Sequence, residues 1–423
     1  MNVLENAAFG LAMRGAGRLQ RGQTLHHANE VAWPVSIWPC TIRCGPKSAA
    51  KPSCTSRPST STTSPDRVIG TTRLSRTARG ERWPHCGYVH VLPAVTIGAE
   101  VAVLVSVLIP VYNAGGYLVE TVQSVLAQSV QNFEVILVDD GSTDGCLRSV
   151  EDLTDPRIQI LRQANQGAPA AMNRALSAAT GEFVAFLDHD DLWTVGKLEA
   201  QLDHFASHPE ADITFSWSRW IDEHGKDLNL APRRWQGPIS FEELVRDFVI
   251  GNTSSMVARR AVVQEVGGFD LSLPRAYDQD LVLRIARLRP GNVQATPKVL
   301  TSYRRHPGQM SRRWQDAVPE WGRLRERIQN YGHPPVSSES LAVGDRNMQR
   351  YFAWLAYEEQ EYGQACRLLA GVFRAGTWQA LGDRRNWLLG GASVAGWLLP
   401  RPVHLAVEAG VKRLLAPVSL LLQ

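Results

Sequence analysis

From residue 101 the chain alternates between short apolar runs and stretches with helical spacing. Residues 101–110 form a nearly unbroken β-branched run, the pattern of a strand buried on both faces. Leu118, Val122, Val125 and Leu126 then recur at the spacing of an amphipathic helix. Residues 133–139 predict a second buried strand that ends on a carboxylate. A short strand at 158–161, a helix at 168–179 and a strand at 182–187 follow. This alternation predicts an α/β domain with a mainly parallel sheet flanked by helices. Its polar residues gather where strands end, the edge at which such sheets hold ligands.

The flanks differ. A Ser/Thr/Pro tract at residues 47–65 dominates the first hundred residues, and it offers too little apolar surface to offset the entropy of ordering. Residues 1–98 are therefore expected to be disordered and dispensable for catalysis. Beyond residue 314 the pattern is helical, with Phe352, Leu355, Ala356, Ala365, Leu368, Leu369 and Val372 on inward faces of residues 346–374. Residues 386–423 are strongly apolar but interrupted by Pro400, Pro402 and Pro417. The stretch 387–399 is too short to span a bilayer. Residues 403–415, with Lys412 and Arg413, read either as an amphipathic helix on a membrane surface or as a helical cap on the catalytic domain. The expected organisation is 1–98, 99–313 and 314–423.

Composition narrows the function. Apolar content of 44% and charged content of 20% are those of a folded protein. The net charge of +4 arises from 12 Lys and Arg against 5 Asp and Glu in residues 1–100, which leaves the remainder at −3. A nucleic-acid partner is not expected. Four of the six cysteines (Cys40, Cys44, Cys54, Cys86) lie in the first segment without a compact module around them, and Cys146 and Cys366 are isolated. This is no disulfide framework, so a reducing cytosol is expected. The first thirty residues lack the apolar core of a secretory signal. The apolar run 89–110 contains His90, Pro93 and Glu100 and reads better as a strand than as a membrane span.

Four constellations carry chemistry. Asp139 and Asp140 end the second strand before Gly141 and Ser142, a placement that either makes a turn or holds a ligand. Asp188, Asp190 and Asp191 crowd the end of another strand, where their repulsion calls for a divalent cation; an N-cap for the following helix accounts for Asp191 alone. Gly267, Gly268, Phe269 and Asp270 precede Tyr277, Asp278 and Asp280 at a helix start, where one carboxylate caps and the other catalyses. Residues 303–311 form a basic loop with Arg304, Arg305 and His306, suited either to phosphate oxygens or to solvent.

Taken together and in this order, the four constellations resemble the family 2 glycosyltransferases of the GT-A fold, over residues 106 to about 311. The resemblance also includes Ser106 to Asn113, Asn165 to Gly167, and Asn173. It implies that Pro110, Tyr112 and Asn113 line a nucleotide pocket and that Asp139 accepts a hydrogen bond from the base. It places Asp140 beside the loop or ribose, with Gly167 and Asn173 also on the donor. Asp188 and Asp190 form the Asp-X-Asp motif, with Asp190 the direct ligand of Mn²⁺ or Mg²⁺ and His306 completing the metal or diphosphate site. Asp278 takes the position of the catalytic base, although the usual Glu-Asp pair is here Tyr277 and Asp278. The reaction implied is inverting transfer from a nucleotide-diphosphate sugar to a glycan, lipid-linked or other hydroxyl acceptor. It implies a cytoplasmic protein with peripheral contact at the membrane.

Two other classes stand beside this one. A metal-dependent nucleotidyltransferase normally carries cations after its first strand, where this chain has Val111 to Gly116. A non-catalytic sugar-nucleotide-binding protein is disfavoured by the full set of carboxylates. Acceptor recognition is expected from residues 214–252, where Trp217, Trp220 and Trp235 offer stacking faces or packing, and from the C-terminal part.

Overall fold

The computed structural model describes residues 103–229, 234–375 and 378–404. The segment 1–98, and all but the first two residues of the expected surface helix 403–415, lie outside these.

Nine strands among the described residues form one sheet, in the order β3-β2-β1-β4-β8-β6-β9-β5, where β5 is Leu192–Trp193, and β7 (Gly237–Pro238) also pairs with β9. The strands β1 (Val105–Val111), β2 (Phe133–Asp139), β3 (Ile158–Arg162) and β4 (Phe183–Phe186) are mutually parallel. β1 and β2 run in register from Val105 opposite Phe133 to Val111 opposite Asp139, so the two strands finish at one edge. Beyond β4 the sheet is mixed. The short strand β8 (Met256–Arg259) lies antiparallel between β4 and β6 (Ile213–Ile221), and β9 (Val293–Arg304) runs parallel to β6. The two reversals bring the carboxyl ends of β6 and β9 back to the edge shared by β1, β2 and β4. The start of β8 arrives at the same edge from the opposite direction.

The apolar runs are continuous because both faces are covered. Leu108, Ile136, Val138, Val184 and Phe186 face one core, which includes α3 (Ala168–Ala178) and α7 (Tyr277–Leu288). Val107, Ile109, Val135, Leu137 and Ala185 alternate with them and face a second core with α1 (Tyr117–Leu126) and α4 (Lys197–Ser207). The period of two thus places successive residues on opposite faces. Helix α2 (Arg148–Glu151) follows β2, while α5 (Phe241–Arg246) and α6 (Arg260–Glu265) flank β8 in the chain.

The C-terminal region consists of α8 (Trp314–Asn330), α9 (Ser338–Glu358), α10 (Tyr362–Ala375), α11 (Trp378–Gly382) and α12 (Arg384–Leu398). The helical stretch expected at 346–374 is broken between α9 and α10, where Gln360 adopts φ +65°. Its apolar stripe packs as expected: Phe352, Leu355, Ala356, Ala365, Leu369 and Val372 share a third core. Helix α9 also packs on α5 and α8, joining this region to the sheet.

Candidate active site

The loops after β1 and β2 are laced together. Asn113, at φ +48°, accepts the N–H of Thr143 on Oδ1 at 2.8 Å and donates its own N–H to Oγ of Ser142 at 3.0 Å. Asp144 accepts the N–H groups of Gly115 (2.8 Å) and Cys146 (3.1 Å). Burial raises the Asp144 carboxyl, but these donors outweigh it and hold the group below its usual range.

The adjacent aspartates do different work. Oδ1 of Asp139 accepts the N–H of Ser142 at 2.9 Å, which closes the turn. Asp140 reaches across to the next loop and accepts the N–H groups of Gln166 and Gly167, each at 2.8 Å. Gly167, at φ +89°, then turns the backbone into α3.

At the end of β4 the three carboxylates also separate. Asp191 is fully buried and serves the protein: its oxygens accept Oγ–H of Ser254 at 2.6 Å and the N–H of Arg304 at 2.8 Å. It is not the cap of α4, whose N-cap residue is Gly196. Asp190 pairs with His306, Nε2 to Oδ2 at 2.8 Å. Burial pushes the Asp190 carboxyl up, but the His306 hydrogen bond and the charges of His189 and His306 hold it below the ordinary range. Asp188 moves the other way: burial, then the charges of Asp190 and Asp278, push it up to about 8.

The arginines of the supposed basic loop do not meet solvent. Arg304 is buried, donating to the carbonyls of Asp190 (2.7 Å) and Glu223 (3.1 Å) and pairing with Glu120 at 2.7 Å. Arg305 is also buried and pairs with Glu358 of α9 at 2.8 Å. The loop therefore ties strands and helices together; its Arg304 N–H holds the buried Asp191, and its His306 side chain meets Asp190.

Opposite this cluster, Asp278 stands at the first turn of α7. Its Oδ1 accepts the N–H of Gln279 at 2.8 Å, and its Oδ2 accepts Oγ1–H of Thr253 at 3.3 Å. Burial lifts the carboxyl to about 6 against these two donors. Two residues on, Asp280 points away into the core. It pairs with Arg284 at 2.6 Å and accepts the hydroxyl of Tyr331, as the one-turn spacing to Arg284 leads one to expect.

One residue that lines the cavity had no signal in the sequence. Glu320 of α8, buried, accepts the N–H groups of Arg275 at 2.7 Å and Ala276 at 2.8 Å. A side chain 44 residues downstream thus supplies acceptors for the start of α7, whose own N-cap position holds only Ala276.

A cavity of about 860 Å³ opens between these walls. Pro110, Tyr112, Asn113, Asp140, Gly167, Asp188, Asp190, Asp278 and His306 all line it, as do Trp217 and Trp220. Asp139, Asn173 and Trp235 do not. Asn173 exchanges two hydrogen bonds with the backbone of Phe269, at 2.7 and 2.8 Å, and so clamps the Gly267–Gly268 turn. Gly268 sits at φ +69°, and a Cβ there would lie 2.5 Å from Oδ1 of Asn173. The indole N–H of Trp235 donates to the carbonyl of Pro238 at 3.2 Å, and its ring packs on the core. From α8 and α9 the cavity gains Glu320, Trp321 and Tyr351.

Among the described residues, no three His, Cys, Asp or Glu side chains are arranged to hold a metal ion by themselves. The donor set nevertheless fits a hard divalent cation that completes its shell with diphosphate oxygens. Asp190 is held ionised on the cavity wall, and the like charge that raises Asp188 is what a cation relieves.

A twisted α/β sheet with carboxylates at the end of a central strand, opening on a deep cavity, defines a GT-A glycosyltransferase. Residues 106–265 match glycosyl transferase family 2, and the chain belongs to that family. It is 34% identical over 232 residues to the putative teichuronic acid biosynthesis glycosyltransferase TuaG of Bacillus subtilis (strain 168), spanning 53% of this chain and 88% of that protein. It is 28% identical over 234 residues to the UDP-Glc:alpha-D-GlcNAc-diphosphoundecaprenol beta-1,3-glucosyltransferase WfgD of Escherichia coli, spanning 54% and 87%. It spans only 35% and 27% of two longer relatives. Among solved structures, S. aureus TarS 1–349 in complex with UDP superposes with a TM-score of 0.48 at 19% identity, over 73% of this chain and 91% of that one.

Proposed function

We propose that this glycosyltransferase moves a sugar from a nucleotide-diphosphate donor to a hydroxyl acceptor with inversion, in the cytoplasmic synthesis of a surface polysaccharide or glycolipid. The observation that carries the reading is that Asp188, Asp190 and His306 line one cavity together with Asp278, lifted to about 6. A base and a diphosphate site sharing one cavity suit a single displacement, which needs no protein nucleophile. The names of TuaG and WfgD, a teichuronic acid enzyme and a diphosphoundecaprenol-dependent one, support the surface-glycan setting.

In this reading Pro110, Tyr112, Asn113 and Gly167 shape the nucleoside pocket, and Asp139, which does not line the cavity, acts through the turn that it closes at Ser142. Asp140 acts through the Gln166–Gly167 backbone that it holds. Asn173 also acts indirectly, through the turn at Phe269. Asp190, with Asp188 and His306, holds Mn²⁺ or Mg²⁺, which when bound supplies charge neutralisation of the departing diphosphate. Asp278 removes the acceptor proton as the hydroxyl oxygen attacks. Trp217 and Trp220 offer the acceptor their ring faces. The test is a panel of UDP-, GDP- and dTDP-sugars with Mn²⁺, read for hydrolysis and for product anomer by NMR. An inverted anomer from one donor is expected. Retention, or turnover only of a nucleoside triphosphate with a sugar phosphate, removes the proposal.

A peripheral lipid contact accompanies this function, on the strength of helix α12. Leu389 packs inward beside the buried Asn386 and Ser393, but Trp387, Val394, Trp397 and Leu398 are exposed between exposed Arg384 and Arg401. No helix of the described residues is long and apolar enough to cross a membrane. An apolar face with indoles and flanking cations suits the surface of an anionic bilayer. The full chain is expected to sediment with phosphatidylglycerol vesicles, and a Trp397→Ser, Leu398→Ser variant to remain in the supernatant. Equal binding by both removes the contact.

A further inference from the structure

Between β6 and β8 the chain makes a 3₁₀ turn, Thr253–Ser255, whose first residue lines the cavity. All three residues are buried, as is Asn252 before them, yet none is apolar. Burying hydroxyls is costly unless each is hydrogen-bonded, so a run of them marks a place where their bonds matter.

Those bonds reach both walls. Oγ of Ser254 accepts the N–H of Asp188 at 3.0 Å and donates to Oδ2 of Asp191 at 2.6 Å. One residue earlier, Oγ1 of Thr253 donates to Oδ2 of Asp278 at 3.3 Å. Asp188 follows β4 and Asp278 stands in the first turn of α7, and the two aspartates are 90 residues apart in the chain. Adjacent side chains of a single turn therefore touch both.

The turn itself is held from behind. The carbonyl of Ser254 accepts the indole N–H of Trp193 at 2.8 Å. The carbonyl of Ser255 accepts Nε2–H of Gln201 at 3.1 Å and Nζ–H of the fully buried Lys197 at 3.3 Å. Oγ of Ser255 donates to the carbonyl of Asn252 at 2.9 Å. Met256 then enters the sheet opposite Phe215, so the turn continues directly into a rigid strand.

We infer that Thr253 and Ser254 are positioning residues that set the spacing between the diphosphate-side carboxylates and the catalytic base. Thr253 holds Oδ2 of Asp278 while the N–H of Gln279 holds Oδ1, so together they fix the plane in which the carboxylate meets the acceptor. Ser254 fixes the backbone from which Asp188 projects. The inference rests on Asp278 being the base.

Thr253→Val keeps the shape and removes the hydroxyl; Thr253→Ser keeps the hydroxyl. Both are assayed beside Asp278→Asn, with donor KM, kcat and nucleotide Kd by calorimetry. We expect kcat of Thr253→Val to fall about 10- to 100-fold, the scale of a small misplacement of a reacting group. Donor KM and nucleotide Kd should stay unchanged, and Thr253→Ser should restore kcat. Ser254→Ala should instead weaken donor KM and kcat together. A wild-type kcat in Thr253→Val, or a Thr253→Ser no better than it, overturns the inference while Asp278→Asn remains inactive. Turnover by Asp278→Asn overturns the base assignment, and the inference with it. Unchanged nucleotide Kd in the Thr253 and Asp278 variants, and a wild-type circular-dichroism spectrum in Ser254→Ala, show that the fold is intact.

Discussion

Nε2 of His306 lies 2.8 Å from Oδ2 of Asp190, joining the residue that follows β9 to the carboxylate cluster beyond β4. The contact keeps Asp190 ionised in a buried setting and orients it along the cavity wall. A chelator is expected to abolish transfer, and Mn²⁺ or Mg²⁺ to restore it. His306→Ala should raise the metal concentration needed for half-activity by about 10- to 100-fold, as loss of a ligand or of its orienting partner does. Activity undiminished in chelator contradicts the metal assignment.

Asp278 accepts a proton only when ionised, and burial lifts its carboxyl to about 6. Protonation removes the base, so kcat is expected to fall as pH drops through about 6 and to level above it. Asp278→Asn should bind nucleotide normally and lose roughly 10²- to 10⁴-fold in kcat, with the acid limb gone from its residual rate. A wild-type pH profile in that variant would be decisive against the assignment.

Asp280 predicts a different phenotype. It is fully buried, and its loss leaves Arg284 without its charge partner and Tyr331 without its acceptor. Asp280→Asn is expected to cost about 3 kcal/mol in urea unfolding, typical of breaking a buried pair from one side. Folded protein should retain most of its kcat. Stability at the wild-type level with kcat abolished would exchange the roles of the two aspartates.

Glu320 tests how far the C-terminal helices serve catalysis. Glu320→Ala removes the acceptor for two N–H groups at the start of α7 and frees the turn that aims Asp278. We expect kcat to fall about tenfold or more with nucleotide affinity unchanged. Glu320→Gln keeps an acceptor oxygen and should fall less. Equal activity in all three proteins would reduce Glu320 to a packing role.

The sheet was legible where burial was symmetrical. β1, β2 and β4 carry apolar residues on both faces, so their runs need no partner to be recognised. Mixed pairing beyond β4 was not legible, because β8 has four residues and its direction depends on how the turn at Thr253 enters. Motif carboxylates were readable from crowding, but their division of labour was not. Asp188 and Asp190 line the cavity while Asp191 faces inward, a difference set by Ser254 and Arg304 far along the chain. Arg304 and Arg305 misled for the same reason: charge is visible in a sequence, burial is not. Glu320 sits in a helix with two other acids, Asp316 and Glu326, and only the packing of α8 singles it out.

The hold of α8 on α7 has a consequence for the order in which the protein becomes competent. Asp316 and Glu320 reach Arg275 and Ala276, Arg327 meets Asp270, and Tyr331 meets Asp280. All four lie downstream of the residues they secure. On the ribosome, where a chain assembles from its N-terminal side, the strands and loops of the nucleotide pocket emerge while these fastenings are still unmade. Under the proposed roles, donor binding therefore matures before transfer does, and the turn that carries Asp278 is locked in place last.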